Sequence, residues 1–231
     1  MKWLTRGGAA GALAVGAAVA WGLGWRGLIL LLAFFVSGSV LTQVAGGTGG
    51  QRNLRQVLAN GGVAAAAALW GRWTVAAAAV AAATADTWAT EIGAFSPTAP
   101  RLLTTGRPVP KGTSGAISML GTVGGVVGAG AMAGLASLVA PRGPFAALGA
   151  GSALEPAVIV ASAGVVGMLV DSLLGATVQG VYECPQCAAR SERRDTVCHG
   201  PVRLIRGWRW LDNDAVNLAA TLAGAAVGAL A

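Results

Sequence analysis

Long apolar stretches, separated by short polar segments, dominate this chain. Most are built from Ala, Gly, Val and Leu, and they have helical rather than strand length. Their number and length predict an all-α, polytopic membrane bundle, although the shorter stretches are brief for a bilayer core of about 30 Å. The predicted spans are 7–24, 27–45, 57–70, 73–91, 115–139, 157–181 and 213–230.

Composition and charge support a membrane protein and predict its orientation. Hydrophobic residues make up 55% and charged residues 11%, whereas a soluble domain has about 25% charged residues. With the N-terminus inside, all Lys and Arg residues except Arg26, Arg72 and Arg142 fall on the inner side. This bias predicts a multi-pass protein of the cytoplasmic membrane whose long loops face the cytoplasm. The basic excess therefore reflects orientation and not nucleic-acid binding.

A single membrane-embedded domain, 1–231, accounts for the pattern, with one water-facing insert at 182–211. Gly-x-x-x-Gly spacing recurs at 121/125, 124/128 and 130/134. Small residues at this spacing allow helices to approach closely, which is the expected role of most of them. A homodimer is left open.

Carboxylates within the apolar stretches are the strongest functional signal, because a bilayer tolerates buried charge poorly. Asp86 and Glu91 lie near the end of the fourth predicted span, and Asp171 lies inside the sixth. A charge at that depth costs about 2.5 kcal/mol or more, so Asp171 needs a cavity, a cation or a metal. Oxygen ligands near a membrane surface suit Mg²⁺ that is shared with substrate phosphates. Alternatively, Asp86 and Glu91 snorkel or cap their helix end.

Further polar side chains follow helical spacing in the last two predicted spans. Gly175 and Gln179 share a helix face with Asp171, and Ser172 directly follows it, whereas the other set lies at the start of the final span. An Asp at a helix start can also serve simply as an N-cap. The candidates are Ser172, Gln179, Asn213, Asp214 and Asn217.

The segment 101–115 has the composition of an anion-binding loop. It combines cations, hydroxyls and glycines, and it leads into a predicted helix whose N-terminal N–H groups favour anions. It is not a P-loop, since that motif's spacing and preceding strand are absent. An ordinary basic inner loop is the alternative, and the polar stripe that follows it could line a groove or pack against a helix. The candidates are Arg101, Thr104, Thr105, Arg107, Lys111, Gly112, Thr113, Ser114, Ser118 and Thr122.

The insert contains every Cys and His of the chain, namely Cys184, Cys187, Cys198 and His199. The first pair has the spacing of a structural zinc site, and three Cys with one His form an accepted Zn²⁺ ligand set. A cytoplasmic position argues against disulfides. Free thiols remain the alternative.

Six short stretches follow one another in a specific order: 56–62, 85–93, Thr104–Thr105 with the turn 110–115, 118–122, 171–179 and 211–217. Together they resemble one family, the phytyl-phosphate kinases of phytol salvage and the largely uncharacterised integral membrane proteins grouped with them under domain of unknown function 92. The family is also similar to CTP-dependent prenol kinases and CDP-lipid synthases.

This resemblance implies an enzyme that transfers the γ-phosphate of CTP, or of another nucleoside triphosphate, to a prenyl monophosphate such as phytyl or geranylgeranyl phosphate. Phosphoryl transfer depends on positioning and charge neutralisation, which matches the residue types. Mg²⁺ would be held by Asp86, Glu91, Asp171 and Asp214. The triphosphate would be attracted by Lys111, Arg101 and Arg107, and hydrogen bonds would come from Asn60, Asn213, Asn217, Thr113 and Ser118.

Two other functions remain open at this point. A CTP-dependent lipid nucleotidyltransferase would use similar residues but release pyrophosphate. A membrane transporter could line its pathway with the same intramembrane carboxylates. The basic loop around Lys111 favours the enzymes.

Overall fold

The computed structural model describes residues 3–46, 51–141, 154–192 and 201–230. Helices account for 67% of the structure, so the predicted helical bundle is confirmed in outline. Short strands, which were not predicted, also occur in the two long loops. The first of these loops contains Pro97, Pro100, Pro108 and Pro110, which disfavour helix. In both loops, pairing of extended segments satisfies backbone groups instead.

Helix α1 spans Arg6–Val44 and is broken at Gly24, whose φ of 65° and ψ of −158° are not helical. Its two halves fold back on each other. A Cβ built on Gly16 would lie 3.9 Å from Leu28, and the rings of Trp3 and Phe35 are 5.6 Å apart. The predicted stretches 7–24 and 27–45 are therefore the two arms of one helical hairpin.

Three of the remaining helices, α2, α4 and α6, begin at residues whose side chains cap them. Asn53 and Gln56 form a capping box at the start of α2, and Ser118 and Asp212 accept hydrogen bonds at the starts of α4 and α6. The helices are α2 (Leu54–Leu69), α3 (Trp73–Gly93), α4 (Met119–Val139), α5 (Leu154–Thr177) and α6 (Asn213–Gly228).

Two small antiparallel sheets lie at the same end of the bundle as the N-terminus. In the loop between α3 and α4, β1 (Arg101–Leu102) pairs with β2 (Ala116–Ile117). In the insert, β3 (Val181–Glu183) lies between β4 (Arg190–Ser191) and β5 (Arg203–Arg206). Both sheets thus border the polar end of the helices.

Helix α3 forms the centre of the bundle and packs against the other five helices. Its residues 76–85 are all buried, and most are Ala. Glycines of α4 allow the close approach: a Cβ on Gly125 would lie 2.2 Å from the Met168 sulfur, and one on Gly128 would lie 3.1 Å from the Trp88 ring. The predicted packing role is confirmed for these two positions, whereas a Cβ on Gly130 would meet nothing within 4 Å.

Three of the described helices are long and apolar enough to cross a membrane: α1, α4 and residues Pro156–Thr177 of α5. Large apolar side chains point outward from the bundle, with Leu13 and Leu138 each 75% exposed. An outward apolar surface of this kind suits lipid, so the helices form a membrane-embedded bundle.

Candidate functional site

A cavity of about 220 Å³ opens at the polar end of the bundle, between α1, α2, α3, α5 and α6. Its wall combines carboxylates, amides, hydroxyls and one guanidinium. Six of the residues singled out from the sequence meet there: Asn60, Asp86, Glu91, Asp171, Asn213 and Asn217. The others that line it are Phe34, Thr42, Arg52, Gln56, Thr87 and Thr90.

Asp86, on α3, and Asp171, on α5, both line the cavity, and their carboxyl groups are close enough to interact. Helices α3 and α5 approach each other closely at Gly167. A Cβ on this residue would lie 2.4 Å from Ala82, so only glycine fits there. One oxygen of Asp171, Oδ2, is buried and has no hydrogen-bond partner. Two carboxyls in contact require a shared proton or a cation between them, and the orphaned oxygen is a free ligand for a cation.

Arg52 extends into the cavity from the segment before α2. The backbone of this segment pairs with the N-terminal strand segment, since Arg52 N–H donates to Trp3 O at 3.0 Å and Thr5 N–H donates to Arg52 O at 3.1 Å. Its guanidinium lies over the rings of Phe34 and Phe35, 5.6 and 5.4 Å from their centroids. Burial lowers the pKa of Arg52, and the opposing charge of Glu91 raises it. The result is a cation held rigidly and partly shielded from water.

Glu91 also lines the cavity and accepts a 2.6 Å hydrogen bond from the Thr42 hydroxyl. Its charge also faces Arg52. Asp86 and Glu91 therefore line one cavity although they are five residues apart on α3. Among the residues that the structure describes, however, no three His, Cys, Asp or Glu side chains group closely enough to hold one metal ion.

Side-chain amides from α2 and α6 complete the wall. Asn60 donates to the Gln56 carbonyl at 3.0 Å, so the amide is fixed within α2. The Thr221 hydroxyl donates to Ala59 O at 3.0 Å and ties α6 to α2, which brings Asn213 and Asn217 to the same cavity. These amides offer neutral donors and acceptors around the charged pair.

Asp214 does not line the cavity. Arg55 approaches it at 3.7 Å and forms a closer ion pair with Asp212, at 2.7 Å. Asp212, moreover, is the N-cap of α6. The acidic start of the last span is thus a surface ion-pair cluster at the edge of the site.

The predicted anion-binding loop lies outside the cavity and is largely exposed. The Lys111 ammonium donates to Ala94 O at 2.9 Å, at the C-terminal end of α3, and the Arg101 guanidinium donates to Gly106 O at 2.8 Å. Thr113 bonds within its own turn, to Pro110 O at 2.7 Å. The exposed members are Arg101, Thr104, Thr105, Arg107, Lys111 and Gly112.

The remaining predicted polar residues form hydrogen bonds within the fold or lie away from the cavity. Ser118 caps α4 through Gly121 N–H at 3.1 Å, and Ser114 donates to the buried side chain of Gln179 at 2.6 Å. Thr122 and Ser172 are half-buried and do not line the cavity.

The insert carries Cys184, which is buried, and Cys187, which is exposed, on the turn between β3 and β4. That turn is tight, because Ala188 N–H donates to Cys184 O at 2.9 Å and Ala188 has a φ of 56°. Cys198 and His199 lie outside the described residues. The zinc site therefore stays a prediction.

Arg52 was not predicted as a site residue. From the sequence it contributed only to the positive charge expected on the cytoplasmic side. The local signal was present: Arg52 directly precedes the capping-box residue Asn53, ahead of a helix that begins with polar side chains. Thr42 was missed as well, because its partner Glu91 is distant in sequence and no local pattern could have revealed it.

Comparison with known proteins identifies one family. Integral membrane protein DUF92 matches residues 1–225. Protein PGR of Arabidopsis thaliana is 35% identical, covering 86% of this chain and 79% of its own length. An uncharacterized membrane protein of Methanocaldococcus jannaschii is 33% identical, covering 90% of this chain and 76% of its own.

A further uncharacterized membrane protein, from Synechocystis, is 30% identical and covers 98% of this chain and 81% of its own length. No solved structure matches the chain. The match over nearly the whole length agrees with the family that the six short stretches indicated, and the chain belongs to the DUF92 family of integral membrane proteins.

Proposed function

We propose that this protein is a Mg²⁺-dependent isoprenoid-phosphate kinase that transfers the γ-phosphate of CTP, or of another nucleoside triphosphate, to a prenyl monophosphate. The observation that carries the proposal is the contact between Asp86 and Asp171 inside a cavity that also contains Arg52. Phosphoryl transfer needs charge neutralisation and positioning more than covalent chemistry, and this cavity supplies charges of both signs.

The carboxyl pair suits Mg²⁺ by its donor chemistry. Mg²⁺ in phosphoryl-transfer sites is usually held by one or two carboxylates together with substrate phosphates and water. Asp86 and Asp171 supply two such groups, and Asp171 Oδ2 is a buried acceptor without a protein partner. When bound, Mg²⁺ would neutralise charge that develops on the transferred phosphoryl group. Glu91 and Asp214, also considered as ligands, engage Thr42 and Arg55 instead.

Arg52 is the residue best suited to bind the transferred phosphate. A guanidinium forms paired hydrogen bonds with phosphate oxygens, and partial burial strengthens them. Asn60, Asn213 and Asn217 would donate further hydrogen bonds from α2 and α6. Arg101, Arg107 and Lys111, on the exposed loop at the same end, would attract the triphosphate by its charge.

The cavity's size limits what it encloses. Ligand pockets typically measure about 300–1,000 Å³, and 220 Å³ is smaller. Phosphate groups would occupy it, whereas the nucleoside would extend toward the loops and the prenyl chain toward lipid.

The transfer step requires no strong general base, because a monophosphate oxygen is already anionic. This oxygen would attack the γ-phosphorus and form a new P–O bond while the bond from that phosphorus to the β–γ bridging oxygen breaks. The bridging oxygen keeps the electron pair. The products are prenyl diphosphate and a nucleoside diphosphate, and no proton must move.

We also propose that the bundle crosses the membrane seven times, with the two arms of α1 counted separately and the cavity facing the cytoplasm. The polar end of the bundle contains most Lys and Arg residues, which are enriched on the cytoplasmic side of membrane proteins. Helices α2 and α6, at 16 residues each, are about 24 Å long, so they would cross where the surrounding bilayer thins or the helix ends are polar.

For the insert, 182–211, we propose a structural Zn²⁺ held by Cys184, Cys187, Cys198 and His199. Metal analysis of purified protein should then find about one zinc per chain, which is lost in a Cys184→Ser/Cys187→Ser variant. Wild-type protein that contains no zinc would contradict this site.

The function is tested by incubating purified protein in detergent with Mg²⁺, phytyl or geranylgeranyl phosphate, and CTP labelled at either the γ- or the α-phosphate. Label that passes from the γ position into a lipid diphosphate is the expected result. Label from the α position in the lipid would indicate a nucleotidyltransferase instead. No lipid labelling from either position, with any nucleoside triphosphate, would overturn both enzymes and favour a transporter.

The same assay tests the carboxyl pair. Asp171→Asn and Asp86→Asn should each lower turnover by about 100-fold or more, because each removes a charge that acts in the transition state. Glu183→Gln is the matched control, since Glu183 forms its ion pair with Arg190 on the exposed insert, at 2.8 Å. Retained activity in either Asp variant would remove that residue from the site.

A further inference from the structure

The start of α1 fixes the main chain of Arg52. Arg52 N–H donates to Trp3 O at 3.0 Å, and Thr5 N–H donates to Arg52 O at 3.1 Å. Thr5 also caps α1, because its hydroxyl oxygen accepts from Gly8 N–H at 3.0 Å. A Cβ built on the buried Gly8 would overlap Arg52 O, so the first turn of α1 fits against this carbonyl only with glycine.

The second arm of α1 fixes the side chain of Arg52. The guanidinium lies over the rings of Phe34 and Phe35. A Cβ built on Gly38, one turn further along, would lie 3.0 Å from Arg52 Nη2 and 3.1 Å from Thr87 Cγ2, closer than ordinary contacts. The missing side chain at residue 38 therefore leaves the room that the guanidinium occupies. None of these contacts is a hydrogen bond from the guanidinium to an oxygen, so its donors can serve an anion in the cavity that Arg52 lines.

Hydrogen bonds hold Gly38 in place against α3. The Thr42 hydroxyl donates toward Gly38 O, at 2.9 Å, and Glu91 Oε1, at 2.6 Å. On the other side of Gly38, Trp88 Nε1 donates to Ser37 Oγ at 3.1 Å. The helix around residue 38 is thus tied to α3 by bonds on both sides, whereas the guanidinium ends a long, flexible side chain. An added methyl group at residue 38 would displace the guanidinium rather than the helix.

We propose that the two arms of α1 form a clamp that positions Arg52 for phosphate, with Gly8 and Gly38 as its positioning residues. Gly8 sets the main chain of Arg52, and Gly38 sets its guanidinium. Charge-assisted hydrogen bonds depend on distance and angle, so a displaced guanidinium binds phosphate oxygens less well. This inference rests on the phosphate-binding role of Arg52 in the proposed function, although not on the identity of the reaction.

The test is a titration of the thermal unfolding temperature of the full chain in detergent with inorganic pyrophosphate, in the presence of Mg²⁺. Gly38→Ala should raise the half-saturating pyrophosphate concentration by about 5-fold or more, while its unfolding temperature without pyrophosphate stays close to that of the wild type. Gly16→Ala is the control, since its Cβ would have Leu28, at 3.9 Å, as its nearest neighbour. An unchanged half-saturation in Gly38→Ala, or a wild type that pyrophosphate does not stabilise, would overturn the inference.

A double-mutant cycle shows whether Gly38 acts through Arg52. Arg52→Lys has no Nη2 for a side chain at residue 38 to displace. Gly38→Ala should therefore change the half-saturation little in an Arg52→Lys background, because the two effects are coupled. The same fold-change in both backgrounds would indicate a general packing effect and overturn the inference. A lower unfolding temperature with an unmoved half-saturation would do the same.

Gly8→Ala and Gly7→Ala form a matched pair for the first arm. A Cβ on the exposed Gly7 would lie 3.8 Å from Leu54 Cβ, whereas one on Gly8 would overlap Arg52 O. The half-saturating pyrophosphate concentration should rise in Gly8→Ala and stay at the wild-type value in Gly7→Ala. Equal values in the two variants would overturn the clamp as proposed. If Gly8→Ala does not fold, the Gly38→Ala titration and its cycle decide.

The kinase assay separates this inference from the proposed function. Lipid phosphorylation with the same KM for the phosphorylated substrate in Gly38→Ala and the wild type would overturn the inference and leave the kinase. The expected pyrophosphate shifts in a protein that phosphorylates no lipid would support the inference and overturn the kinase.

Discussion

Asp171 lies on a helix that offers its charge no compensation. Helix α5 contains no Lys, Arg or His, and the nearest side-chain partner of Asp171 is another carboxyl, that of Asp86. A charge within a membrane helix costs about 2.5–3.5 kcal/mol by insertion scales. Two such groups that lie close together are therefore expected where a bound cation can offset this cost. Arg52, which lines the same cavity, is one of the positive charges available to bound phosphates.

Arg52→Lys tests that role at the level of one side chain. Lys keeps the charge but lacks the planar guanidinium that stacks over Phe34 and Phe35 and forms paired bonds to phosphate. The KM for the phosphorylated substrate should rise by about 10-fold, which is roughly the contribution of one charged hydrogen bond. Steady-state kinetics measure this effect.

Arg55→Lys is the matched control for Arg52→Lys. Arg55 is exposed and pairs with Asp212 at the surface, and exposed ion pairs contribute little. Its KM should stay close to that of the wild type. Equal KM values for both variants and the wild type would contradict the assigned role of Arg52.

Helix packing positions the carboxyl pair, and it depends on small residues of α3, α4 and α5. Glycines 125 and 128 of α4 meet α3 and Met168 without room for a Cβ. In lipid such contacts replace the hydrophobic drive that holds soluble helices together. The α4 glycines hold α4 against α3 and α5, and Gly167 of α5, where a Cβ would lie 2.4 Å from Ala82, brings α5 and Asp171 close to α3 and Asp86.

Gly125→Ala and Gly130→Ala form a matched pair that tests this packing. The first places a Cβ 2.2 Å from the Met168 sulfur, and the second meets nothing within 4 Å. Overpacking should destabilise Gly125→Ala by about 1–3 kcal/mol, whereas Gly130→Ala should be neutral or more stable, because Ala favours helix. Thermal unfolding in detergent measures the difference. Equal unfolding temperatures would contradict the packing account.

The sequence predicted helices well because their apolar stretches and breaks are local features. Gly24 and the turn at Gly71 separate stretches whose bounds agree with the observed helices to within a few residues. The strands of the insert were missed, since two- to four-residue strands are specified by their partners rather than by their own pattern. For the site, Asp86 and Asp171 could be predicted from the cost of burying charge. Arg52 could not, because its importance comes from contacts with residues of α1, which are distant in the sequence.

At the scale of the whole molecule, every residue of the cavity comes from one end of the bundle. That end also contains the N-terminal strand segment, both small sheets and the exposed basic loop. A prenyl phosphate has its charge at one end of an apolar chain, so a polar cavity beside a lipid-facing bundle suits it. For the proposed reaction, this end of the bundle must therefore face the compartment that contains the nucleotide.

Thiol labelling of intact cells tests the orientation. In a chain whose native Cys residues are replaced by Ser, Thr104→Cys lies on the exposed loop and Arg72→Cys lies at the opposite end of the bundle. A membrane-impermeant thiol reagent should label residue 72 in intact cells and residue 104 only after permeabilisation. The reverse pattern would place the cavity outside and contradict a cytoplasmic nucleotide site.

The most direct test of the central claim is a structure of the protein with Mn²⁺ and a non-hydrolysable CTP analogue. Mn²⁺ accepts the same oxygen ligands as Mg²⁺ and can be located by its anomalous signal. The account predicts one ion between the carboxyls of Asp86 and Asp171, with phosphate oxygens bound to it and to Arg52. A cavity without Mn²⁺, with the two carboxyls bonded only to each other and the phosphates elsewhere, would contradict it.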